Sequence, residues 1–197
     1  MRFPSGVRGR RAQHGDREFR ILVVCTGNIC RSPYVAARLA QRFPGVDVSS
    51  AGTAAVVGAP PHPHVVEALE AVGTPWRGTA RQLRRRMIED ADLVLTMTGT
   101  HRIDVVRRAP KHAATTFTLK ELASAATDLV ATATGPASWA DLIAHAQHLD
   151  VHAALTSDTD LDDPYGGPPD GYVQMATDAD RAIGALARAV ADTGPRP

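Results

Sequence analysis

The sequence predicts an α/β fold: a three-layer sandwich in which a four-stranded parallel sheet carries helices on both faces, with a Cys-x5-Arg loop after the first strand. Three observations lead there. Short, continuous apolar runs rich in β-branched residues mark strands covered on both sides. Segments with helical spacing alternate with those runs, as right-handed crossovers between parallel strands require. The chain also opens its ordered part as strand, tight loop and helix, the first half of a βαβ unit.

The first strand is Arg20-Ile21-Leu22-Val23-Val24. The loop over 25–30 leads into a helix over 31–43, where Val35, Leu39 and Phe43 recur every four residues. Pro33 suits that helix start, because its missing N–H is one of the donors left unpaired there. A second strand follows over 46–50 and ends at Gly52. A helix over 64–72 carries Val65, Ala68, Leu69 and Val72 on one face before Gly73 stops it. The basic segment 81–89 is expected to be helical. Residues 92–97 form the third strand, 100–108 a helix stopped near Pro110, and 115–119 the fourth strand. From 123 to 155 the composition turns Ala-, Thr- and His-rich; a helix is expected at 139–149, with loops on both flanks. The acidic, Pro/Gly-rich stretch 158–172 reads as a long loop, and 172–192 as a closing helix with Met175, Ala179, Ile183 and Leu186 on one face.

A chain of 197 residues is long enough for one domain with a proper core. We read residues 1–18 as a disordered basic tail and 19–197 as that domain, with an insert around 123–160. Lys and Arg total 22 against 21 Asp and Glu, a formal charge of +1, which argues against a nucleic-acid backbone binder. No run of about 18 apolar residues is present, so a membrane span is excluded, and the N-terminus lacks the apolar stretch of a signal peptide. Two cysteines make neither a disulfide framework nor a zinc array, which fits a reduced, cytoplasmic setting. His145 and His148 lie three apart, and His62 and His64 two apart, but no cysteine or carboxylate completes either set, so no metal is expected.

The informative stretch is Cys25-Thr26-Gly27-Asn28-Ile29-Cys30-Arg31-Ser32, between a buried strand and a helix N-terminus. A turn there aims successive N–H groups inward, and the helix adds partial positive charge at the same point. Such a nest suits an anion with three equivalent oxygens. Gly27 and Asn28 tolerate the left-handed backbone it needs, and Arg31 supplies a planar cation that grips two oxygens at once. A nucleotide P-loop would require Gly-Lys-Ser/Thr, which is missing. A thiol beside Arg31 and a helix N-terminus favours its thiolate, with Ser32 placed to donate a hydrogen bond to the sulfur. A thiolate on the floor of an anion cup is placed to attack phosphorus in line.

On these residues the chain resembles the low-molecular-weight protein tyrosine phosphatases, bacterial members especially. The likeness continues through Ser50-Ala51-Gly52-Thr53, Ala80-Arg81-Gln82-Leu83, residues 92–97 and Asp163-Pro164-Tyr165, in the family's order, covering about residues 20–119 and 162–190. The resemblance implies a four-stranded parallel α/β sandwich and a phosphotyrosine protein or small aryl phosphate as substrate, with phosphate as product and inhibitor and no cofactor. It implies that Cys25 is the nucleophile and passes through a phosphocysteine. Thr26, Gly27, Asn28, Ile29, Cys30, Arg31 and Ser32 bind the phosphoryl group, with Asn28 and Ser32 holding loop and thiolate. Asp163 protonates the leaving group and then deprotonates water; Asp158, Asp160, Asp162 and Asp170 are nearby acids, and the Asp-Pro-Tyr context selects Asp163. Tyr165 is implied as an aromatic substrate wall. Val56 and Val57 stand where eukaryotic members often carry an aromatic residue. Cys30 matches a second cysteine that forms a reversible disulfide with the nucleophile; an inert packed thiol is the alternative.

Two other functions compete with phosphotyrosine hydrolysis. An arsenate reductase of the same fold would need an external low-molecular-weight thiol, since no cysteine follows Cys30. A non-catalytic phosphate-binding module would need neither the nucleophile nor the acid.

Overall fold

The first strand of the sheet is an inner one, flanked on both sides by later strands. In the computed structural model, which describes residues 17–76, 78–132, 135–148 and 159–190, four strands lie in the order β2-β1-β3-β4, all parallel. They are β1 (Phe19–Cys25), β2 (Val46–Gly52), β3 (Leu93–Thr96) and β4 (Thr116–Thr118). The helices are α1 (Arg31–Arg42), α2 (Pro63–Ala71), α3 (Arg85–Glu89), α4 (Gly99–Arg108), α5 (Leu119–Thr132), α6 (Trp139–His148) and α7 (Pro169–Ala189), with a 3-10 turn at Pro110–Thr115. The expected basic tail falls, up to residue 16, outside the described residues.

Alternation along each strand sorts side chains between two cores, because successive residues point to opposite faces. Ile21, Val23, Leu93 and Leu95 point into the larger core with α1, α2, α5, α6 and α7. Leu22, Val24 and Val94 point into the smaller one, closed by Leu83, Ile88, Val105 and Ala109. The periodic residues of α1 behave as expected: Val35, Leu39 and Phe43 are all buried. Among the described residues no helix is long and apolar enough to cross a membrane.

Three expectations need correction. The segment from 123, read as loop up to 139, belongs in its first part to a helix over Leu119–Thr132, where Leu119, Leu122, Ala123, Ala125 and Ala126 are buried in the larger core. The basic segment 81–89 is helical only at Arg85–Glu89. Its first residues are extended, because Gly52 N–H donates to Arg81 O at 2.9 Å and Leu83 N–H to Gly52 O at 2.8 Å, so the edge of β2 captures them. The last helix starts at Pro169, three residues early, with proline at a position that needs no N–H. Residues 149–158 of the expected insert lie outside the described residues; α6 within it packs Trp139 against Phe19 at 5.6 Å and Phe43 at 5.0 Å between ring centres.

The topology says where a site belongs. From β1 the chain crosses to β2 on one side and then to β3 on the other, so the sheet reverses direction at β1. In open parallel sheets ligands sit outside the carboxyl ends of the strands at such a reversal. The loop that leaves β1 is Cys25 to Cys30.

Candidate active site

The carbonyls of this loop are nearly all turned outward. Cys25 O accepts from Thr53 N–H (2.9 Å), Thr26 O from Ala54 (3.1 Å), Gly27 O from Val56 (3.0 Å), Ile29 O from His62 (2.8 Å) and Cys30 O from Tyr34 (3.3 Å). No peptide in the described chain is cis. In a planar trans peptide the N–H lies opposite the preceding C=O, so the N–H groups of Thr26, Gly27, Asn28, Cys30 and Arg31 turn to the concave side. Asn28 shows the consequence, its N–H pointing at Cys25 Sγ at 3.3 Å. The cup of donors expected from residue types is thus made by the loop after β2, which takes up the outward carbonyls.

Asn28 holds that cup in shape. It is the one non-glycine residue at positive φ (55°) among the described residues, and it is 2 % exposed. Its Nδ2 donates to Ser32 Oγ and to Ser50 Oγ, each at 2.9 Å, and its Oδ1 accepts from Arg81 N–H at 2.8 Å. Arg81 in turn donates through Nη2 to Ser50 O at 3.0 Å. Ser50 and Arg81 lie in segments that carry the family likeness, but nothing in their spacing showed that they meet Asn28.

At the floor, Cys25 Sγ lies 2.9 Å from Ser32 Oγ. Cys25, Cys30 and Ser32 are buried, and both cysteines are free thiols. Burial pushes the Cys30 thiol up to about 12, with Asp163 and Cys25 adding to the rise. Cys30 is therefore a neutral thiol near neutral pH. Arg31 is buried as well, at 4 % exposure. Its Nη2 meets Asp163 Oδ2 at 2.5 Å and its Nη1 donates to Leu161 O at 3.3 Å. Its Nε, equally buried, has no hydrogen-bond partner among the described residues. A buried donor without an acceptor is costly, and an oxygen brought to it would relieve that cost.

Asp163 comes to the site from 132 residues away in the chain. The acid loop is anchored on both sides of it. Asp160 Oδ1 accepts from Gly99 N–H at 2.7 Å, Leu161 N–H donates to Met97 O at 2.8 Å, and the Leu161 side chain is buried. Tyr165 N–H donates to Asp163 Oδ1 at 3.3 Å. Of the competing acids, Asp160 is thus occupied at the start of α4, and Asp163 alone touches Arg31 among the described residues.

The mouth is apolar and aromatic. Tyr165 is 65 % exposed and stands edge-on to the His62 ring at 6.4 Å. His62 stacks on Tyr172 at 4.6 Å, and His64 pairs with Glu67. His62 and His64, one of the two histidine pairs considered as metal ligands, are therefore part of an aromatic cluster, with His64 also hydrogen-bonded to Glu67. Val56, half exposed, has its backbone N–H on Gly27 O, so it borders the loop; the aromatic rings gather on the Tyr165 side. His145 lies on α6 with His148, at the far end of the helix that begins with Trp139.

The model of the family described as low molecular weight phosphotyrosine protein phosphatase matches residues 20–135. The chain is 33% identical over 170 residues to a protein-arginine-phosphatase of Geobacillus stearothermophilus, covering 86% of this chain and 94% of that one. It is 42% identical over 103 residues to the probable low molecular weight protein-tyrosine-phosphatase EpsP of Ralstonia solanacearum, covering 52% and 71%. Among solved structures, the YwlE arginine phosphatase from Geobacillus stearothermophilus superposes with a TM-score of 0.67 at 33% identity, covering 86% of this chain and 90% of that one. A low molecular weight protein tyrosine phosphatase from T. tengcongensis does so with 0.64 at 27%, covering 85% and 97%.

Proposed function

This chain belongs to the low molecular weight phosphotyrosine protein phosphatase family, and on that premise we propose that it is a cysteine-dependent protein tyrosine phosphatase whose residues carry the reaction as follows. Cys25 Sγ, which faces Asn28 N–H and Ser32 Oγ, reacts as the thiolate and attacks phosphorus in line. The S–P bond forms while the P–O bond to the tyrosine ring breaks, and the Asp163 carboxyl gives its proton to the departing phenolate oxygen. Water then attacks the phosphocysteine and loses its proton to Asp163, and S–P cleavage returns phosphate and the thiolate. Arg31 and the inward N–H groups carry the negative charge of the equatorial oxygens throughout.

The observation that supports this most directly is Arg31: a buried guanidinium with Nε unpaired and Nη2 on Asp163. An entering phosphoryl group satisfies Nε and takes over Nη2, which leaves Asp163 free to face the leaving oxygen. Tyr165, Val56 and Ile29 then border the substrate ring. Cys30 is our candidate redox partner of Cys25; its neutral thiol must lose a proton before it attacks an oxidised Cys25. Reduced thiols at this position suit the cytoplasm, and phosphate is both product and competitive inhibitor.

A second reading is favoured by one finding, the similarity to arginine phosphatases over most of the chain. Here the leaving group is a guanidinium nitrogen and Asp163 protonates nitrogen instead of oxygen. The aromatic and aliphatic mouth supports the aryl ester. The matched family and relatives are phosphatases and lend no support to arsenate reduction. The deciding assay compares wild type, Cys25→Ser and Asp163→Asn on a phosphotyrosine peptide and on the same peptide with phosphoarginine. We expect kcat/KM on phosphotyrosine to exceed that on phosphoarginine at least about tenfold, a fall of about a hundredfold or more in Asp163→Asn, and no turnover by Cys25→Ser. The reverse preference establishes the second reading; full activity of Cys25→Ser sinks both.

A further inference from the structure

Beside the anion loop lies a buried imidazole that the reaction above does not use. His101 sits in the first turn of α4, is 6 % exposed, and has both ring nitrogens engaged. Nδ1 stands 2.7 Å from Oγ1 of Thr98, the residue that caps α4 and whose Oγ1 also accepts from His101 N–H at 3.2 Å. Nε2 stands 2.8 Å from Oγ1 of Thr26, the residue after the nucleophile. A histidine needed only to finish the helix cap would use Nδ1 alone; here the second nitrogen goes to the loop.

The same turn also carries the acid loop. Asp160 sits on Gly99 N–H and Leu161 N–H on Met97 O, two and four residues before His101 in the chain. β3 is the neighbour of β1, so the turn after β3 stands next to the loop after β1. Thr26 is the exposed lip of that loop. The turn thus grips both parts that must close on one phosphoryl group, the acid loop through two backbone N–H bonds and the anion loop through an imidazole.

We propose that His101 is a positioning residue of this active site, pinning the Thr26 hydroxyl so that the lip of the anion loop keeps a fixed place relative to the acid loop. Its effect on rate rests on the phosphatase reading; its effect on anion affinity does not. The ring serves as a neutral group, one nitrogen donating and the other accepting, with hydroxyls on both sides able to complement either tautomer. Burial, followed by the charge of Arg31, lowers the His101 pKa to about 4, so it adds no second cation beside that guanidinium.

The test uses the full chain and four single variants: His101→Leu, His101→Asn, His101→Gln and Thr26→Val. Inorganic phosphate affinity is measured by titration calorimetry, kcat and KM on an aryl phosphate, and thermal melting in parallel. Gln places an amide near the position of Nε2, whereas Asn reaches Thr98 but falls short of Thr26. We expect His101→Gln to stay within about threefold of wild type, and His101→Leu, His101→Asn and Thr26→Val each to lose roughly tenfold in phosphate affinity and kcat/KM, the worth of one hydrogen bond. The double variant Thr26→Val/His101→Leu should be no worse than either single one, because both remove the same contact. Wild-type behaviour of His101→Asn, losses that multiply in the double variant, or a lower melting temperature of His101→Leu with affinity and rate intact would each overturn the proposal. If His101→Leu does not fold, Thr26→Val and His101→Gln carry the decision. A wild-type protein that binds phosphate but hydrolyses no ester refutes the phosphatase reading alone, and the affinity arm still decides His101.

Discussion

Replacing Asn28 separates the two reasons this residue is needed at the anion loop. Asn28→Gly removes the side chain but accepts a φ of 55° freely; Asn28→Ala removes the same three hydrogen bonds and also strains the backbone. Three buried hydrogen bonds at about 1 kcal/mol each make the loss in the glycine variant about 3 kcal/mol. The left-handed conformation adds about 1 kcal/mol for alanine. At 2–4 °C per kcal/mol for a chain of this size, melting should fall by roughly 6–12 °C in Asn28→Gly and 8–16 °C in Asn28→Ala. Both variants also release the N–H that points at Cys25 Sγ from its fixed place, so kcat/KM on an aryl phosphate should drop by about a hundredfold, the scale of one lost oxyanion donor. Calorimetric melting and steady-state kinetics on the two variants check both numbers. An alanine variant as stable as the glycine one refutes the backbone argument. A loss under about 1 kcal/mol in both refutes the hydrogen-bond lattice itself.

Two further perturbations address the supports of the loop. A Cβ at Gly52 would lie 2.3 Å from Thr26 O, and Gly52 cannot shift because it bonds to Arg81 and Leu83 through both its N–H and its C=O. Gly52→Ala should cost about 2–4 kcal/mol and weaken phosphate binding, as melting and phosphate titration will show; a variant within about 1 kcal/mol of wild type contradicts the close approach. His101 also makes stability depend on pH. Its folded pKa is about 4, below the unfolded value of about 6.5, so between these values the unfolded chain takes up a proton that the folded one refuses, and stability falls as acid is added. From pH 7 to pH 5 this amounts to about 2 kcal/mol, which His101→Gln should remove from the slope measured by urea unfolding; an unchanged slope shows that His101 does not stay neutral.

How far the chain could be read depended on how local the determining forces are. The run Ile21 to Val24, the four-residue spacing of Val35, Leu39 and Phe43, and the Cys25 to Ser32 loop are local patterns, and the structure bears out the fold they predicted. Helix α5 escaped because its buried face is mostly alanine, Ala123, Ala125 and Ala126, which gives little contrast against its Ala- and Thr-rich surroundings. Residues 81–84 carry a helical composition, yet hydrogen bonds to Gly52 at the sheet edge outweigh that weak preference. His101 offered no local signal beyond a Thr98-x-x-His spacing at a helix start, since its partner Thr26 lies 75 residues away.

By itself the sequence determined the layered α/β alternation and the residue set of one short loop, because both follow from neighbours along the chain: apolar periodicity, glycine and asparagine at a tight turn, a thiol six residues before an arginine. Only the tertiary structure decided that Asp163 meets Arg31, that Ser50 and Arg81 hold Asn28, and that His101 reaches Thr26. Those meetings depend on the order β2-β1-β3-β4, which places the turns after β2 and β3 on either side of the turn after β1. Strand order is settled by packing the whole core at once, and no stretch of residues carries it alone.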